Sequence, residues 1–209
     1  MGFFKTNNEE LIINGLLNVK SDDDMFNSFT VLQNEISVNF PAKVIAVLGV
    51  KNDKLATAFA KALADSYAKN GSSCLLIDAN LYNPSLKGLL GNASSDVEFK
   101  DNDTNKSFRL EKLDDMTSVA CMDKEIYPSN IYKAGAVQQL IKENEKSFEH
   151  FIVVMPSIKE HKEIVLIKDV VDSIILVTQK DITIKEHVYN AVQFFAYNEL
   201  PLAKTVVLK

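Results

Sequence analysis

Glycine is scarce in this sequence: seven in 209 residues, about half the usual share of roughly 7%. The seven are Gly2, Gly15, Gly49, Gly71, Gly88, Gly91 and Gly135. A phosphate cradle made of backbone N–H groups normally needs two or three glycines close together, and no such cluster exists. Arginine is scarcer still, with Arg109 standing alone against 22 lysines. Chemistry that relies on bidentate guanidinium clamps has almost no material here. The two cysteines, Cys74 and Cys121, lie far apart. They make neither a metal spacing nor a disulfide framework, which suits a reducing cytoplasm. No apolar run approaches the roughly 18 residues of a membrane span, and no secretory signal opens the chain. A net charge of −5 argues against a general nucleic-acid binder.

What remains is an ordinary globular composition, 46% hydrophobic and 24% charged, with enough chain to bury a core without staples. Residues 1–20 mix Phe3, Phe4, Leu11, Ile12, Ile13, Leu16 and Leu17 with polar residues and read as a docking segment or a short hairpin. Residues 21–209 read as one domain. Ser21-Asp-Asp-Asp24 opens a helix in which Phe26, Phe29, Leu32, Ile36 and Phe40 recur at helical spacing, closed by Pro41. Strands and helices then alternate. Strands are expected over 43–49, 73–78, 117–122, 151–155, 172–178 and 205–208. Helices are expected over 53–69, 84–90, 129–148, 159–168 and 183–197, the last opened by a Thr183–Glu186 capping box. The polar stretch 92–107 reads as a surface loop or an edge excursion. Continuous apolar strands are buried on both faces, and their alternation with helices implies a mostly parallel sheet in a three-layer α/β fold. Ligands of such sheets bind beyond the carboxyl ends of the strands, so the loops after Gly49, Asp78 and Val154 are where chemistry belongs.

The segment VIAVLGVKNDKLATAFAKALADSYAKNGSSCLLIDANLYNPSLKGLLG runs strand, short loop with a lysine, alanine-rich helix, Lys-Asn-Gly turn, and strand ending in Asp78. It resembles the P-loop ATPases of the MinD/ParA type, and most of all the bacterial tyrosine kinases of capsule and exopolysaccharide synthesis. Three further stretches resemble the same kinases. Phe29-x-x-Leu32 with Ile36 sits where they carry EAFRxLRTNI. Tyr127-Pro-Ser-Asn-Ile-Tyr132 resembles NPSELL, and Phe151-Ile-Val-Val-Met-Pro156 resembles IIIDTPP. The resemblance implies a P-loop NTPase-like fold from about residue 24 to Lys209.

The departures are as specific as the matches. Where that family reads PGEGKST, this chain reads Val50-Lys51-Asn52-Asp53-Lys54-Leu55-Ala56. Lys54 keeps the position of the phosphate-binding lysine, but Asp53 places a carboxylate where backbone should approach phosphate. Such a like charge at ~4 Å costs up to ~4 kcal/mol at an effective dielectric near 20. Leu55 replaces the hydroxyl that would hold Mg²⁺. Asp78 matches the first acid of the family's second nucleotide motif, Asn80 replaces the second acid, and Tyr82 stands where arginine is common. Val154 occupies the Walker B aspartate position. The oligomerisation pattern ExxRxxR becomes Asn27, Thr30 and Gln33, and no tyrosine-rich tail follows Leu208. The resemblance with these losses implies a pseudo-ATPase or pseudokinase with no catalytic residues. Lys54 and Asp78 would be its vestigial nucleotide-site residues, with no metal and no ATP–Mg cofactor expected. It implies a cytoplasmic regulatory module of polysaccharide synthesis, without nucleic acid or membrane span. Its partner would be a membrane adaptor, an active kinase paralogue or a further copy of itself. The alternatives are a MinD/ParA-like positioning factor for a polar or secretion machine, and a weakly active ATPase or tyrosine kinase. His150, His161 and His187 share no metal-ligand spacing and read as structural or surface residues.

Overall fold

The computed structural model describes residues 8–18, 24–39, 42–86, 97–100, 107–122 and 125–209. Helices α1 (Asn8–Leu17) and α2 (Asp24–Asn39) precede strand β1 (Val44–Gly49), helix α3 (Asp53–Lys69) and strand β2 (Cys74–Asp78). Strands β3 (Val97–Lys100), β4 (Ser107–Lys112) and β5 (Thr117–Cys121) follow. Helices α4 (Pro128–Lys133) and α5 (Ala136–Asn144) lead to β6 (His150–Val154) and a 3-10 helix (Glu163–Val170). Strand β7 (Ser173–Gln179), helix α6 (Lys185–Tyr197) and strand β8 (Leu202–Leu208) complete the order.

The strands form one eight-stranded sheet in the order β3-β4-β5-β2-β6-β1-β7-β8. From β5 to β8 every neighbouring pair is parallel, while β3–β4 and β4–β5 are antiparallel. Every residue of β1, β2 and β7 is buried. Their side chains alternate between two apolar layers. Val44, Ala46, Leu48, Leu75, Ile77, Phe151, Val153, Ile174 and Leu176 face the layer built with α4, α5, the 3-10 helix and α6. Ile45, Val47, Leu76, Ile152, Val154, Ile175 and Val177 face the layer under α1, α2 and α3. Fully burying one such side chain contributes about 1.5–3 kcal/mol, so helices on both faces follow from the strand composition. The alanines of α3 let it lie close to the sheet, and Phe29 of α2 packs on Phe59 of α3 with ring centroids 5.1 Å apart.

The mostly parallel sheet and the helix over 53–69 match the reading of the sequence. Several local expectations are corrected. Residues 8–17 form a helix, with Leu16 buried against the domain, rather than a hairpin. Of the two readings of 92–107, a surface loop or an edge excursion, the second holds: it contains β3 and the start of β4, which add an antiparallel pair. The helix expected over 129–148 is broken in two, because Gly135 adopts φ +80°. The segment 159–168 holds a 3-10 helix starting at Glu163 rather than an α-helix. The capping box at Thr183 does not form: the helix starts at Lys185, and the Thr183 hydroxyl instead accepts the Gln179 N–H at 2.9 Å. Expectations on 1–7, 19–23, Phe40, Pro41, 87–96 and 101–106 lie outside the described residues.

Gly135 tests the break between α4 and α5. A Cβ there would meet nothing within 4 Å, so the cost of Gly135→Ala is the left-handed backbone alone, about 1–2 kcal/mol. Thermal unfolding should show a melting point lower by about 2–8 °C. An unchanged melting point would mean that α4 and α5 are not separated by a left-handed residue.

Candidate functional site at the strand ends

The loops after β1, β2, β6 and β7 converge at the carboxyl edge of the sheet. The loop after β1 is strapped to both neighbours. The Val50 N–H donates to the Val177 carbonyl, and the N–H groups of Ile158 and Lys159 donate to the carbonyls of Gly49 and Val50. The turn is tight enough that a Cβ on Gly49 would stand 2.5 Å from the Asn52 carbonyl oxygen. This glycine is set by packing.

Helix α3 starts from this loop. Its opening N–H groups would otherwise need outside acceptors. Asn52 caps it, the side-chain oxygen accepting the Leu55 N–H at 3.1 Å while the Asn52 carbonyl accepts Ala56 N–H. Asp53 stands in the first turn, where a carboxylate is favoured by the helix dipole. Its Oδ1 accepts the Ser157 N–H at 2.8 Å and so ties α3 to the loop after β6. Lys54 is exposed, and among the described residues it forms no ion pair. Leu55 is 1% exposed and belongs to the same apolar layer as Val154, the last residue of β6.

Asp78 ends β2 and is fully buried. Its carboxylate accepts three backbone N–H groups, from Asn80 at 3.1 Å, Ser85 at 2.9 Å and Leu86 at 2.8 Å. Burial pushes its pKa up to about 6, and the three N–H donors hold it from rising further. The residues that follow are pinned in turn. The Asn80 side-chain oxygen accepts the Asn83 N–H, and the Tyr132 hydroxyl donates to the Ala79 carbonyl. The Tyr82 hydroxyl donates to the Glu163 carboxylate, and His161 stacks on its ring at 3.7 Å. The Ser85 hydroxyl meets Thr57 of α3 at 2.8 Å.

Lys54 and Asp78 are thus both at the strand ends, but in different settings: Lys54 faces solvent and Asp78 is engaged with its own loop. Lys54 lines a cavity of about 480 Å³ between the start of α3 and the turn after β7, and Asp78 does not. Lys51, Lys159, His187 and Gln179 line the same cavity. Sequence reading took His187 as a structural or surface residue, named Lys51 only as part of the first loop, and did not single out Lys159 or Gln179. The available signal was Gln179, a polar residue closing the apolar run Ile174–Val177. His150 stacks on Tyr67 at 4.0 Å and does not line this cavity. Among the described residues no three His, Cys, Asp or Glu side chains gather as a metal site. No described helix is long and apolar enough to cross a membrane.

The architecture is a three-layer α/β fold: a mostly parallel sheet between helical layers, with the first strand–loop–helix unit near its centre. The solved structures that it resembles are more particular. The kinase domain of the Escherichia coli tyrosine kinase ETK superposes with a TM-score of 0.74 at 15% identity, covering 92% of this chain and 78% of that one. The chimeric protein CapA2B2 gives 0.75 at 13% identity, over 90% and 86% of the two chains. A ParA family ATPase from Chlorobium tepidum gives 0.61 at 15% identity, over 79% and 72%. No protein-family model matches the chain, and no curated protein matches it. The shared property is the fold.

Asp78 carries a test. Asparagine has one acceptor oxygen and would turn an amide N–H₂ toward backbone donors, so Asp78→Asn should lower stability by about 1–3 kcal/mol at pH 7 in urea unfolding. The raised pKa sets the sign of the pH dependence. Wild-type Asp78 favours folding most below its ordinary value of 3.8, and this contribution is lost as pH rises through about 6. The margin between wild type and Asp78→Asn should therefore narrow between pH 4 and 7; a widening margin would contradict this environment.

Proposed function

We propose that this protein is a catalytically inactive relative of the bacterial tyrosine kinases, acting as a protein-interaction or regulatory module in capsular or exopolysaccharide synthesis. The observation that carries the reading is the Asp53–Ser157 contact. At the start of α3, where a phosphate would need donors and positive charge, the chain presents its own carboxylate, anchored at 2.8 Å to the loop after β6.

The remaining donor set points the same way. Phosphoryl transfer depends on positioning and on metal-assisted charge neutralisation. Leu55 has no hydroxyl for Mg²⁺. Val154 is fully buried in the layer beneath α3 and has no carboxylate. Asp78 keeps an acid, but its oxygens accept three N–H groups of the chain itself. These residues do not fit a magnesium-chelated triphosphate, and no catalytic step is assigned to them.

Resemblance to the capsule-type kinases suggests the partner: a membrane adaptor of the polysaccharide machinery or an active kinase paralogue, met in the cytoplasm. Self-assembly through the kinase helix pattern has less support. Gln33 is buried and accepts a hydrogen bond from Asn70 of its own chain at 2.7 Å, and Thr30 bonds back to Phe26. The lower superposition on the ParA family ATPase than on the kinase domains favours this reading over a positioning factor.

Calorimetry with Mg–ATP and Mg–ADP tests the proposal. Neither should bind with micromolar affinity, and phosphate release should not exceed the blank. Lys54→Ala should leave both results unchanged. Micromolar binding with turnover that Lys54→Ala abolishes would overturn it.

A further inference from the structure

We draw no further inference here: the strongest candidate, the apolar groove of about 780 Å³ between α1, α2 and the edge strand β8, lined by Leu11, Met25, Val31, Val206 and Val207 among others, is an unpartnered face, and nothing in the structure shows what covers it.

Discussion

Backbone N–H groups at the carboxyl edge of a buried parallel sheet must find acceptors, because water reaches few of them. In nucleotide-binding members of such folds the acceptor at the first loop is phosphate. Here the chain supplies the acceptors itself. Asn52 takes the Leu55 N–H, Asp53 takes Ser157, and Asp78 takes Asn80, Ser85 and Leu86. The Asp53 contact ties the loop after β6 to the start of α3, and the Asp78 contacts hold the loop after β2 on the end of its own strand. They give the loops after β2 and β6 a defined shape from the chain's own polar groups.

Packing reinforces this closure. The strict alternation of β6 places Val154 in the apolar layer with Leu55 and Ala58. An aspartate at this position would need a metal or a donor to offset its desolvation; valine needs neither. A change of this kind preserves the fold, since the sheet depends on burial and the site depends on a few polar atoms. Superposition on kinase domains at 13–15% identity accords with this, since the layers are shared while most residues differ.

Not every buried polar atom of the strand-end region is paired: Asn80 Nδ2 and both amide atoms of Gln179 have no hydrogen-bond partner. Gln179 lines the cavity that has lysines at its mouth.

Much of this architecture was legible in the residues. The runs Val44–Leu48, Leu75–Ile77 and Ile174–Val177 are too continuously apolar for anything but strands covered on both faces, and the alanine-rich stretch 53–69 could lie close against them. The resemblance carried the strand-end positions, because strand and helix spacing dictates which residues reach that edge. Other features depended on how the folded chain sets its backbone and pairs its polar groups. The break at Gly135 required a left-handed residue within a helix-favouring stretch, and the Thr183 hydroxyl turned from its own helix to Gln179. The partners of Asp53, Asp78 and Tyr82 are separated from them by 104, 2 to 8 and 81 residues, respectively. Sequence by itself determined the layered parallel sheet and the kinds of side chain at its carboxyl edge, because periodic burial is a local property of the chain. Only the tertiary structure decided which of those polar atoms satisfy one another and which remain open, because a hydrogen bond depends on where distant loops come to rest.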